Sequence, residues 1–280
     1  MIRLVRDVAL PSVGARRSFA CLRQPGFRAY VMALERMSYE AQALGQLSGI
    51  AGFVNDVTIV CRGSWIDRRD GERTLVTGQA LLGPTAMSLS DAWSEDAQLV
   101  TLEWNTPLIG PLRLHDCSPA LLDAARRFAA AVLDTEQRAL DLPSLRALLE
   151  ALEREGILVP SVEPMEPPEI VVRAAEQLNW ALTHLHEHPM WVDLARGRSE
   201  RQWRRVVSEH SDWLGLLDGT LRRTLLTIRM QYAASLLTVR GASATDVAHA
   251  LGYSSDRALR TAMARAQMDL SFLKNRGSSR

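Results

Sequence analysis

The segment Thr245–Arg265 reads TDVAHALGYSSDRALRTAMAR. Val247, Ala248 and Leu251 fall at i, i+1 and i+4 and give a short helix one apolar face. Gly252 supplies the positive φ that ends it. Ser254 or Ser255 can cap a second helix by accepting a hydrogen bond from an unpaired backbone N–H, and Ala258, Leu259, Ala262 and Met263 then repeat at the spacing of a buried face. Asp256, Arg257, Arg260, Thr261 and Ala264 are left outward. Two helices across a glycine turn, the second bearing arginines, is how a helix-turn-helix offers one helix to a DNA major groove; an ordinary pair of surface helices shows the same spacing.

Val247-Ala248, Leu251-Gly252-Tyr253, Ser255, Leu259, Thr261-Ala262-Met263 and Arg265 resemble the C-terminal signature of the AraC-type transcription regulators, "IA..(L/V)GF.S...F.RAF.R". Leu259 and Met263 stand where the family carries phenylalanine, so the apolar logic is kept. The resemblance extends over roughly residues 170 to 270. It implies a first helix-turn-helix and a long linker helix upstream.

The linker helix is expected over Leu221–Val239, where Leu225, Ile228, Tyr232, Leu236 and Leu237 recur at helical spacing. Arg229 and Ala233 match the family pattern "R...A..LL". A stiff helix between two reading heads sets their separation, which on one face of DNA is roughly 34 to 36 Å. The first head is expected where Trp191 to Ala195, then Ser199 and WRRVV, resemble "LA.....S...L.R.F". The stretch before Ser199 is two residues shorter than the family's, and Trp203 and Val207 replace its leucine and phenylalanine. Gly197 can still make the turn. Ser199 with Gln202 approaches a capping box, so a recognition helix is expected over Glu200–Val207, with Arg201, Arg204 and Arg205 outward. The connection Ser208 to Thr220, SEHSDWLGLLDGT, is longer than the family's, so this head is either remodelled or limited to phosphates.

The chain has 280 residues, 47% hydrophobic and 23% charged, which is ordinary for a globular chain of more than one domain. Its net charge of +1 is unevenly placed. Residues 169–280 hold 16 Lys and Arg against 11 Asp and Glu, whereas residues 1–168 hold 17 against 21. A basic end on an acidic front suits a DNA-binding module joined to another domain, because neutralising phosphates drives the sequence-independent part of affinity.

The run Val159–Pro168, VPSVEPMEPP, carries four prolines and is read as a linker between an N-terminal domain, 1–158, and a DNA-binding domain, 169–280. Before it, Leu145, Leu148, Leu149 and Leu152 mark a helix over Leu142–Glu155, and Leu121, Leu122, Ala125, Phe128, Ala129 and Val132 mark another over Pro119–Leu140. The two form a helical hairpin turning near Asp141 to Ser144. In the family such helices often make the dimer contact; packing against their own domain is the other reading.

From Val54 to Trp104 the chain is expected to be β-rich: Val57, Ile59 and Cys61 alternate, Asp70-Gly71 marks a hairpin, and Leu99, Thr101, Leu102 and Trp104 form a later strand. The spacing of Gly63, Asp70-Gly71, Leu75, Gly78 and Pro84 resembles the small cupin-like barrel of many family members. Residues 27 to 47 are expected to be helical, from Tyr30, Ala33, Leu34, Met37, Ala41 and Leu44.

The chemistry-bearing residues argue against an enzyme. The β-rich stretch contains no histidine, so a metal cupin is not expected. His184, His186 and His188 cannot converge on a metal in a helical frame, since i and i+2 do not share a face; near a helix C-terminus they suit the dipole. His115, Asp116 and Cys117 form a polar trio with nothing to complete it. No P-loop, GxSxG or paired-glycine fingerprint is present. Cys21, Cys61 and Cys117 form no CxxC, which fits a reducing cytoplasm. Arg16-Arg17-Ser18-Phe19 is similar to a twin-arginine export signal, but Arg23, Pro25 and Arg28 interrupt the apolar segment that export requires. The uncharged Thr74–Ser90 contains Gly78, Gly83 and Pro84 and reads as a turn between strands, not a membrane span.

The expectation is therefore an α+β chain: a cupin-like β-rich domain with a helical hairpin, then an all-α domain with two helix-turn-helix motifs joined by a linker helix. The resemblance implies a cytoplasmic transcription regulator without cofactor or metal. Expected partners are double-stranded DNA, RNA polymerase, a small-molecule effector and a second copy of the chain. Expected DNA contacts are Arg201, Arg204 and Arg205 on the first head, and Ser255, Asp256, Arg257, Arg260 and Thr261 on the second. The alternative, motivated by Trp203, Val207 and the long connection, is a degenerate regulator acting through protein–protein interaction.

Overall fold

A computed structural model describes residues 1–41, 55–68, 71–84, 91–105, 112–134, 142–157, 159, 161–187, 189–190, 193–194, 199–215 and 221–266. Asp70, His188, Trp191, Ala195 and Gly197 lie outside these.

The chain opens with a β-meander. β1 (Ile2–Leu10), β2 (Ala15–Gln24) and β3 (Phe27–Glu35) pair antiparallel in full register. Their turns rest on glycines in the left-handed region, Gly14 at φ +66° and Gly26 at +75°, the latter after Pro25. β4 (Tyr39–Ala41), β5 (Asn55–Arg62), β6 (Ser64–Asp67), β7 (Arg73–Val76), β8 (Gln79–Pro84), β9 (Asp91–Trp93), β10 (Gln98–Trp104) and β11 (Arg113–Asp116) follow. They build a seven-stranded antiparallel sheet, ordered β1-β2-β3-β10-β5-β8-β11, and a smaller one, β4-β9-β6-β7. The hairpin expected around Gly71 joins β6 to β7.

The helix expected over residues 27 to 47 is corrected: residues 27–35 and 39–41 are strands, and 42–47 lie outside the described residues. Tyr30, Ala33, Leu34 and Met37 do fit a helical period, but Phe27, Ala29, Val31 and Ala33 fit a period of two equally well. Pairing decides between them, because β2 on one side and β10 on the other satisfy the backbone of β3.

Alternation along the strands gives the large sheet two different faces. The outer face, with Ala20, Leu22, Val31, Val57, Ile59, Val100 and Leu102, is apolar and covered by the hairpin of α1 (Pro119–Leu133) and α2 (Leu142–Arg154) through Leu121, Phe128, Leu145, Leu148 and Leu152. α1 is shorter than the expected Pro119–Leu140, since the chain turns extended at Asp134, ψ 104°. Glu155 then clasps the ends of the hairpin. It accepts from the Ser118 backbone N–H at 3.1 Å and pairs with His115 Nε2. Burial works against the Glu155 charge, but these hydrogen bonds outweigh it and hold the carboxyl below its ordinary pKa.

The inner face meets the small sheet through Leu34, Val60, Leu81, Leu99, Trp65, Leu75 and Trp93, and the C-terminal helices through Leu4, Val8 and Leu10. Those helices are α3 (Glu169–Thr183), α4 (Glu200–Glu209), α5 (Ser211–Leu214), α6 (Leu221–Leu236), α7 (Ala244–Ala250) and α8 (Asp256–Arg265). Residues 161–168 carry no helix or strand and pass beside the meander, where Gln24 donates to Glu163 O at 3.1 Å and accepts from Met165 N at 3.0 Å. Polar ties fasten the helices to the sheet. Asn179 grips the edge of β1, accepting from Val5 N at 2.8 Å and donating to Arg3 O at 2.9 Å, as a neighbouring strand would. Arg17 donates to Gln231 O at 2.6 Å and Ser235 Oγ at 2.5 Å, and Thr238 donates to Ser38 O at 2.8 Å.

Candidate nucleic-acid interface

The two helices and the glycine turn expected over Thr245–Arg265 are present, as α7, Gly252 and α8. α7 begins in a capping box that the sequence reading passed over: Asp246 N donates to Ser243 Oγ at 3.0 Å, and Ser243 N to Asp246 Oδ2 at 3.4 Å. The S-x-x-D spacing could have revealed it. Val247, Ala248 and Leu251 are buried, and Gly252 sits at φ +80°. Its turn is closed by Tyr253 N donating to Ala248 O at 2.8 Å. A Cβ at Gly252 would lie 2.6 Å from the Leu185 carbonyl oxygen, so the glycine is required by close approach as well as by backbone angle. Arg229 of α6 donates to that same carbonyl at 3.2 Å, joining α6, the short turn Leu185–Glu187 that follows α3, and the Gly252 turn.

Ser255 caps α8 by accepting from Ala258 N at 3.2 Å, which leaves its hydroxyl as a structural group. Leu259 and Met263 are buried, and the face opposite them carries Arg257, Arg260, Thr261 and Arg265 in the open. Asp256 does not cap; it pairs with Arg260 at 3.5 Å one turn on. Thr261 Oγ1 donates to Arg257 O at 2.8 Å.

The first head is held differently. α4 has a full capping box, with Gln202 N donating to Ser199 Oγ at 3.3 Å and Ser199 N to Gln202 Oε1 at 3.0 Å. Trp203 and Val207 anchor its inner face. Arg201, Arg204 and Arg205 are exposed; Arg204 pairs with Glu200 at 2.5 Å and Arg205 with Glu209 at 3.0 Å. These side chains are 52–79% exposed, and each such pair is worth about 0.3 to 0.5 kcal/mol. The arginines can therefore exchange a carboxylate for a phosphate or base edge at little cost.

The described part of the long connection is an additional helical turn, α5, that buries Trp213 and Leu214. Arg23 of β2 donates to Asp212 O at 2.8 Å, and its guanidinium lies against Gly215 at φ +66°. Burial lowers the Arg23 pKa to about 10. The sequence marks this segment by Trp213 alone, which signals burial without saying against what.

His184 ends α3, stacked on Trp180 at 5.0 Å between ring centroids and on His186 at 6.0 Å. Among the described residues no group of three His, Cys, Asp or Glu side chains could hold a metal ion, and no helix is long and apolar enough to cross a membrane.

No protein-family model matches the sequence, and no curated protein is similar to it. Solved structures show weak likeness. ToxT from Vibrio cholerae aligns over 89% of this chain and 98% of its own at 12% identity and a TM-score of 0.35. The AraC-like transcriptional activator CuxR aligns over 80% of this chain and 91% of its own at 12% identity and 0.33. KdgF from Halomonas sp. aligns over 33% of this chain and 79% of its own at 14% identity and 0.24. At these scores the likeness carries no argument, and the functional reading rests on the residues themselves.

Proposed function

We propose that this protein is a transcription regulator that binds double-stranded DNA through the exposed faces of α8 and α4, with the front domain, 1–158, acting as sensor or pairing surface and residues 159–168 as its connection to the DNA-binding part, 169–280. The observation that carries this reading is α8 itself. It is capped, pinned by Leu259 and Met263, held by a glycine turn that only a glycine fits, and presents Arg257, Arg260 and Thr261 outward. An arginine that reaches guanine O6 and N7 adds about 1 to 3 kcal/mol of discrimination. α6, sixteen residues long, is about 24 Å at 1.5 Å per residue, a spacer of the right order for two heads one DNA turn apart.

Selection of bound fragments from random duplex DNA tests the proposal. The expected result is enrichment of two short elements about one helical turn apart, with affinity that falls steeply as salt rises. A second reading, an interaction module, is favoured by α5, which draws the first head onto β2. It requires that no sequence is enriched and that association is insensitive to salt.

A further inference from the structure

Among the described residues the two sheets end in four strand edges, and three of these meet another group. Asn179 of α3 bonds the backbone of β1, α6 packs on β4, and at β7 the Val76 N–H donates to Gln79 Oε1 at 3.1 Å. The fourth edge is β11, whose one strand neighbour is β8. Cys117 N donates to Gly78 O at 2.8 Å, and the register sets His115 against Ala80 and Arg113 against Leu82. Hydrogen bonding alternates along an antiparallel strand, so Arg113, His115 and Cys117 turn their backbone to β8 while Leu114 and Asp116 turn theirs away. Among the described residues no group bonds the outward backbone of Leu114 or Asp116.

The side chains alternate along the same edge. Leu114 is 54% exposed, and Asp116, on the same side of the strand, accepts from Gln79 Nε2 at 3.0 Å. Arg113 and His115 share the other side. His115 is paired with Glu155, whereas Arg113 is exposed and has no ion pair among the described residues. An edge with unbonded backbone and a leucine at its centre is a template for another strand.

We propose that β11 pairs with β11 of a second copy of this chain, antiparallel about a two-fold axis at Leu114, so that the two large sheets run on as one. A two-fold pair sets the strand against itself, and only residues turned outward exchange hydrogen bonds. An axis at Arg113 or Asp116 would set like charges opposite one another, and an axis at His115 would set Leu114 against Asp116. With the axis at Leu114 the two exposed leucines cover each other. Arg113 then falls opposite His115 of the second copy, beside the Glu155 carboxylate which that histidine holds. The contact is repeated by symmetry, so the free cation of each copy meets an anion of the other. This surface is separate from the α1–α2 hairpin. It rests on the pairing role proposed for the front domain and not on the DNA contacts.

Sedimentation equilibrium of the full chain without DNA tests it, so that its failure is separate from any failure of DNA binding. The expected result is a monomer–dimer equilibrium that shifts to dimer as concentration rises. Leu114→Pro removes an N–H that points away from β8, so the monomer should keep its Tm and circular dichroism while dimer is lost. Arg113→Glu should weaken association about tenfold, since it sets like charges opposite. Leu114→Cys gives a second readout that does not depend on how proline is tolerated. Facing Cα atoms of a hydrogen-bonded pair lie about 5.5 Å apart, within disulfide reach, so mild oxidation should yield a covalent dimer. Wild type, whose Cys117 lies off the axis, and Asp116→Cys should not. A chain that stays monomeric at every concentration, or a dimer that survives Leu114→Pro, overturns the surface. Cross-linking of Asp116→Cys in place of Leu114→Cys overturns the axis.

Discussion

The two helix pairs proposed to read DNA rest on different supports. α8 is capped by Ser255, buries one face through Leu259 and Met263, and follows a turn that Gly252 seats on the distant Leu185 carbonyl. α4 has an equally complete cap and core pair, but the chain beyond it turns back through α5 and fastens to β2 by way of Asp212 and Arg23. Both helix pairs also touch the front domain, the first through α5 on β2 and the second through α7 on β1, but the first is tied there by a buried arginine that donates to the backbone of its connection. A change at Arg23 should therefore act on the first pair before the second.

Trp213→Ala should break this contrast most strongly. Truncating a buried aromatic costs about 3 to 5 kcal/mol, and hydrogen exchange should show protection lost across α4 and α5 while α8 stays protected. Equal loss in both heads would deny the separate support. Gly252→Ala strikes the other side, pressing a Cβ on a backbone oxygen at positive φ. A cost of about 1 to 3 kcal/mol is expected, read as a lower Tm with loss of protection centred on α7 and α8. Ser255→Ala and Ser199→Ala each remove one cap and should cost about 1 kcal/mol. Near-equality of the two by denaturant unfolding would show that the heads differ in anchorage, not in local helix quality.

The smallest expected effect lies far from both heads. Glu155 has its carboxyl pKa depressed in the folded chain, so its contribution is complete above the ordinary carboxylate range and is lost as pH falls through the lower folded value. Glu155→Gln should flatten the acid limb of stability against pH by about 1 kcal/mol and leave the heads unchanged. An unaltered acid limb would show that the clasp contributes nothing.

The same contrast explains what could be read from residues alone. α7 and α8 were legible because Gly252, the spacing of Leu259 and Met263, and Ser255 are all local. β5 and β10 were legible from alternation in Val57, Ile59 and Cys61 and in the run ending at Trp104. β3 was not, because its apolar residues satisfy two periods and only its neighbours choose; Pro25-Gly26 was the turn signal that could have corrected it. The role of α5 was closed to sequence reasoning, since its partner Arg23 lies 189 residues away. Of the residues expected to touch DNA, Arg201, Arg204, Arg205, Arg257, Arg260 and Thr261 stand exposed, Asp256 pairs with Arg260, and Ser255 is engaged as a cap.

The central claim is that α8 reads bases. Arg257→Ala, measured by equilibrium binding at one fixed salt concentration to the selected duplex and to a scrambled duplex of equal length, tests it most directly. The account predicts a loss of about 10- to 100-fold on the selected sequence and a change of no more than a few-fold on the scrambled one. Equal losses on both would reduce Arg257 to a phosphate contact and contradict the assignment of α8 as a reading helix.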